Sequence, residues 1–152
     1  MMNNIVKIAF LSLTFIVSIP LAASAPIDSN NENYQDSEKE QFDWTPIMEA
    51  IIKVESEGNP NAVSGNSVGA MQITPILVKE CNKILDKRKS DKRFSLNDRY
   101  SIEKSKEMFL LIQSHHNKTN NVERAIRSWN GGPCYSTKST DSYFRKVMRH
   151  LK

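Results

Sequence analysis

The sequence predicts an all-α fold, a single helical domain over residues 44–152. Three observations lead to it. Apolar residues recur at helical spacing through that stretch, and no window of any length alternates as a strand does. Start and stop signals bracket each apolar stripe. The stretch has no internal repeats, and about 110 residues are enough to bury a core of their own.

The first helix is expected from Pro46 to Ser56, with Thr45 as N-cap and proline at the first helical position. Gly58 is expected to end it, with Asn59-Pro60 behind. A second helix follows Thr74-Pro75 by the same logic, with Leu77, Cys81, Ile84 and Leu85 on one stripe. Asp86 to Ser101 reads as a basic loop. A third helix, Ile102 to about His115, buries Met108, Phe109 and Ile112. A fourth, Val122 to Trp129, spaces Val122, Ala125, Ile126 and Trp129 along one face until the "NGGP" of Asn130–Pro133 breaks it. The last begins near Thr140 and carries Tyr143, Phe144, Val147, Met148 and Leu151. Gly58–Gly69 and Asn130–Thr140 are left as loops, where function concentrates.

Ahead of this domain the character differs. Residues 1–25 read as an export signal: Lys7, a short apolar run from Ile8 to Ile19, then Ala23-Ser24-Ala25 as a cleavage site. The run is short for a membrane span and Pro20 interrupts it. Residues 26–43 carry six Asp/Glu against one Lys and read as an acidic, disordered linker. From Trp44 onward there are 19 Lys/Arg and 11 Asp/Glu. A basic exported domain suits an anionic partner, or simply a soluble surface. In an oxidising compartment Cys81 and Cys134 are a possible disulfide, the alternative being two buried thiols.

On a helical wheel at ~100° per residue, Ile47, Met48, Ile51, Ile52 and Val54 share one side of the first helix. Glu55 falls within roughly 30° of the middle of that cluster, while Glu49, Lys53 and Glu57 fall opposite. Burying a carboxyl among apolar atoms raises its pKa, and an acid still protonated near neutral pH can protonate a leaving oxygen, as glycosidic cleavage requires. The other reading is a helix-end Glu that turns to water or pairs with a cation. The Asn/Ser/Gly-rich run after it, ending in Met71-Gln72-Ile73, offers amides and hydroxyls suited to sugars. Trp129-Asn130 offers an aromatic face for stacking, or core packing. No Asp or Glu lies between Glu57 and Glu80, which favours a mechanism with one carboxylate. Asp91, Asp98 or Asp141 would have to arrive by folding.

These residues resemble the soluble lytic transglycosylase (SLT) family, whose domain has the goose-type lysozyme-like fold with a sugar-binding cleft. Glu55-Ser56, Gly69-Ala70-Met71-Gln72 and Ser128-Trp129-Asn130 stand where the family has Glu-Ser, Gly-Leu-Met-Gln and Ala-Tyr-Asn. Asp98 and Ile102, then Tyr143, Lys146 and Val147, match two further segments in order. The resemblance implies a peptidoglycan lytic transglycosylase with Glu55 as acid and then base. It further implies Ser56, Ser64, Met71, Gln72, Trp129, Asn130 and Tyr143 as substrate-site residues. The family tyrosine is Trp129 here, so its hydroxyl's role passes to Tyr143 or to the indole N–H.

The implied partner is the peptidoglycan glycan strand, met as a monomer outside the cytoplasm in the periplasm, envelope or medium, with no stable membrane insertion. An envelope-spanning secretion or conjugation machine stays open as a second partner. A lysozyme-like hydrolase and a non-catalytic glycan-binding or secretion-assembly protein on the same fold stay open as alternatives. No cofactor is implied. His115-His116 and His150 lack metal-ligand spacing, and the Lys87–Arg93 run lacks the aromatic interleaving of a nucleic-acid site.

Overall fold

The structure, a computed structural model, describes residues 42–151. The expected signal peptide lies outside them, as does the acidic linker apart from Phe42 and Asp43. Among the described residues five helices carry the fold: α1 (Thr45–Ser56), α2 (Pro75–Lys87), α3 (Ile102–His116), α4 (Val122–Gly131) and α5 (Thr137–Arg149). Between α1 and α2 lies a short antiparallel hairpin, β1 (Val63–Ser64) and β2 (Ser67–Val68). A 3₁₀ turn, Asn97–Tyr100, precedes α3. The all-α expectation holds. None of the described helices is long and apolar enough to cross a membrane.

The helix starts follow local chemistry. Thr74, Ser101, Asn121 and Ser136 each accept a hydrogen bond from the backbone N–H three residues on, which satisfies an otherwise orphaned donor. Ser136 sets α5 off at Thr137, three residues before its expected start. At α1 the cap differs from expectation: Trp44 holds the N-cap position, and the Asp43 carboxylate accepts from Thr45 N at 2.8 Å. The end falls at Ser56 as expected, with Glu57 (φ 57°) already in the left-handed conformation ahead of Gly58 (φ 89°); a non-glycine residue there costs about 1 kcal/mol. α4 runs on through Asn130 and Gly131 to end at Gly132 (φ 76°), because a Cβ-free Gly131 lets α5 approach. Asp86 and Lys87 belong to α2, not to a loop.

The hairpin was not expected from the sequence. Gly65-Asn66 connects its two strands, and Gly65 (φ 57°) supplies the positive φ that a two-residue connection needs first.

α5 packs on α4 and α1, and α3 packs on α2. The core between them holds Ile51, Met71, Ile73, Met108, Phe109, Ile126 and Val147, all essentially without solvent exposure. α1 buries Ile47, Met48, Ile51 and Ile52 and exposes Glu49, Lys53 and Glu57, as its wheel requires. Several positions depart from the expected stripes: Val78 is buried on α2 while Leu77 is half-buried, Gln113 is buried on α3 while Ile112 is half-buried, Arg127 and Thr140 are buried on α4 and α5, and Met148 of the α5 stripe is exposed. The two cysteines form no bridge. Cys81 is fully buried, its thiol donating to Met108 O at 3.8 Å, while Cys134 is exposed on the α4–α5 connection.

Candidate functional site

The last turn of α1 brings Glu55 to one wall of a pocket of about 240 Å³. Ser64 from β1, Ser67 from β2 and Gln72 from the turn after the hairpin line it further. So do Thr74 and Leu77 at the start of α2, and Trp129 and Asn130 at the end of α4. The lining holds hydroxyls, amides and an indole, and Glu55 is its one carboxylate among the described residues.

Glu55 is half-buried, and its position behind Ile51 and Ile52 on the apolar face removes water from the carboxyl. That desolvation raises its pKa above the ordinary glutamate range, partly opposed by a hydrogen bond from Tyr143. The phenol of Tyr143, on α5, donates to Glu55 Oε1 at 2.7 Å. Burial, with the neighbouring Glu55 charge second and the shared hydrogen bond third, pushes the phenol far above its usual range, so it stays a donor. Tyr143 therefore fixes Oε1 and leaves Oε2 without a donor among the described residues.

Of the two groups that sequence offered for the missing tyrosine hydroxyl, the indole N–H is already engaged. Trp129 Nε1 donates to Met71 O at 3.2 Å, and its ring packs on Phe109 with centroids 5.2 Å apart. Trp129 is thus half-buried, part core and part pocket wall.

Gln72 sits at φ 49°, an unusual conformation for a non-glycine residue and one that recurs at functional sites. Its Nε2 donates to Gly69 O at 2.9 Å and Ala62 O at 3.4 Å, which leaves the amide oxygen as the group to face a ligand. Three expected residues are not part of the pocket lining: Ser56, Met71 and Tyr143, which reaches it only through Glu55. Ser56 donates to Ala70 O at 2.9 Å, tying α1 to the turn, and Met71 is wholly core. None of Asp91, Asp98 and Asp141 lines the pocket. Asp141 pairs with Arg127 and Arg145, and Asp98 accepts from Ser95 N.

Sequence reasoning missed Ser67, Thr74 and Leu77. Ser67 pairs with Ser64 in the hairpin register, so recognising Gly65-Asn66 as a hairpin connection would have found it. Thr74 was visible only as a cap, a task it also performs. It missed Arg99 as well. This side chain is buried, and its guanidinium donates to Leu96 O (2.8 Å), Asn66 O (3.2 Å) and Ile73 O (3.3 Å). It thereby ties the 3₁₀ turn to the hairpin. Gly69 is the counterpart: a Cβ there would lie 1.8 Å from Arg99 O, and its φ is 81°. Close backbone approach explains that glycine.

No group of three or more metal-binding side chains occurs among the described residues. His116 instead approaches Glu80 at 3.4 Å and stands edge-on to His115.

A family model described as "Transglycosylase SLT domain" matches residues 32–150. No curated protein and no solved structure matches the chain.

Proposed function

Because the chain belongs to the transglycosylase SLT domain family, whose general activity is peptidoglycan cleavage of the lytic-transglycosylase type, we propose that it is an exported enzyme that cuts the β-1,4 bond between N-acetylmuramic acid and N-acetylglucosamine. Glu55 is the catalytic residue, and the muramic product is a 1,6-anhydro sugar. The observation that carries this reading is one carboxyl, desolvated and held by Tyr143, in a pocket otherwise lined by neutral polar groups.

Protonated Glu55 gives its proton to the glycosidic oxygen as the bond from that oxygen to muramic C1 breaks. The resulting carboxylate then takes the proton of the muramic O6 hydroxyl, and O6 bonds to C1. The carboxyl ends as it began and no water is consumed. A hydrolase commonly needs a second carboxylate to act on water or on C1; the pocket lining supplies none, which supports the intramolecular route. The neighbouring N-acetyl group can assist at C1. Ser64, Gln72 and Asn130 bind the sugars in this reading, and Trp129 offers them the exposed part of its ring.

Mass spectra of muropeptides released from sacculi test it. Products one water lighter than reducing ends are expected. Reducing ends alone would make the enzyme a hydrolase, and binding without release would make it a non-catalytic glycan-binding protein.

A further inference from the structure

A second and larger pocket, about 760 Å³, lies away from Glu55, where the chain entering α1 meets the end of α2 and the middle of α3. Its chemistry is unlike that of the Glu55 pocket. Trp44, Phe94, Leu85 and Leu111 give it an aromatic and aliphatic floor, and its volume falls within the range of small-ligand sites.

Its charges are unevenly satisfied. Lys92 is paired with Glu107, which Lys104 also contacts at 3.1 Å, and Lys92 lies over the Phe94 ring. Arg88 has no carboxylate partner among the described residues. Its Nη2 donates to Ser114 Oγ at 2.9 Å, and that hydroxyl donates in turn to Leu111 O at 2.8 Å. The guanidinium is therefore oriented at the pocket edge with its remaining donors unspent. An oriented guanidinium beside an apolar floor matches a ligand that carries a carboxylate next to small hydrocarbon groups. A sugar ring would ask for the dense hydroxyl and amide lining that the Glu55 pocket has. A lipid surface or a nucleic acid would ask for several free cations in a stripe, and this pocket offers one.

We propose that this pocket binds the peptide arm of the peptidoglycan strand, with a peptide carboxylate on Arg88 and alanine methyl groups against Trp44 and Phe94. The inference rests on peptidoglycan being the substrate. The arms of that polymer carry both carboxylates and alanine methyls, whereas its neutral sugars suit the other pocket. Trp44 and Trp129, one on each pocket, both contact Phe109, with ring centroids 5.6 and 5.2 Å away. One three-ring wall thus stands between glycan and peptide sites.

The chain's two tryptophans make the test direct, since each indole N–H resonance of the ¹⁵N-labelled protein reports one pocket. A free stem tetrapeptide should shift the Trp44 resonance saturably and leave that of Trp129 in place. The same peptide with its carboxylates amidated should not. Arg88 is exposed, so Arg88→Ala should fold normally and bind the peptide at least roughly tenfold more weakly, with partial rescue by Arg88→Lys. A tetramer of N-acetylglucosamine should move Trp129 alone. The proposal is overturned if the peptide leaves Trp44 unmoved or if Arg88→Ala binds it equally well. It is also overturned if phosphatidylglycerol vesicles move Trp44 where the peptide does not, or if the peptide binds only after residues 26–41 are deleted. Sacculus digestion by the same samples separates the two readings: cleavage with no Trp44 response sinks only this one, and a Trp44 response with no cleavage sinks only the enzymatic one.

Discussion

Replacing Tyr143 with Phe removes one oxygen and one hydrogen bond, the 2.7 Å contact to Glu55 Oε1. No other side chain or backbone group among the described residues donates to that carboxyl, so the ionised form loses its only protein partner. A hydrogen bond to a charged group is worth about 1.5–3 kcal/mol. If that energy also keeps the acid in its reactive rotamer, kcat falls by roughly ten- to a hundred-fold. The direction in pH is fixed separately. The Tyr143 bond stabilises the carboxylate and so opposes the effect of burial. Without it the Glu55 pKa rises further, and the alkaline limb of the kcat profile, where the acid loses its proton, moves to higher pH. Muropeptide release followed from pH 4 to 9 measures both quantities. A Tyr143→Phe enzyme with unchanged kcat and an unmoved alkaline limb would refute the assignment of Tyr143 as the positioning residue for Glu55.

Glu55→Gln should cost about 10²–10⁴-fold in activity while keeping the fold. The raised pKa of Glu55 means its stability contribution is full below the ordinary glutamate pKa and is lost as pH rises through the folded value. Thermal melts should therefore show Glu55→Gln more stable than the parent at pH 7–8 and equal to it near pH 4. Gly69→Ala meets both a positive φ and the Arg99 carbonyl; urea unfolding should show a loss of about 3 kcal/mol or more. Arg99→Ala strips donors from three carbonyls and should lose roughly 3 kcal/mol, with KM rising more than kcat falls and Lys restoring only part. Burial pushes the Cys81 thiol up to about 12, the Glu80 charge adding to it. A thiol reagent should accordingly titrate one cysteine in the native protein and the second only on unfolding; no thiol in the unreduced, unfolded chain would reveal a bridge after all.

The helices were legible because their signals are local. Stripes such as Ile47/Met48/Ile51/Ile52 and caps such as Thr74 need only a few neighbouring residues to declare themselves. Glu55 was legible for the same reason, since its misplacement is a property of one helix. Tyr143 was named by motif order, but its bond to Glu55 joins residues 88 positions apart, and no periodicity encodes such a contact. Arg99 was hidden by its surroundings. It ends a segment rich in exposed Lys and Arg, and composition cannot single out the one guanidinium that turns inward to carbonyls. The hairpin was missed because two-residue strands are too short to show alternation, although Gly65-Asn66 announced the connection. Helix bounds slipped where close packing let a glycine stay helical, as at Gly131, or where a serine cap started the helix early, as Ser136 does for α5.

The tie between Arg99 and the hairpin also bears on how the Glu55 pocket opens. The guanidinium holds Asn66 and Ile73 together, Gly69 N donates to Ala62 O at 2.8 Å, and Val68 and Ile73 exchange two backbone bonds. Lifting the loop as a flap would break these bonds together and leave the buried Arg99 cation without two of its three acceptors. The loop's amides should exchange with solvent together with those of the 3₁₀ turn, as one cooperative unit and at a free energy above that of ordinary surface loops. A glycan strand bound as proposed then meets a wall that is already formed before it arrives.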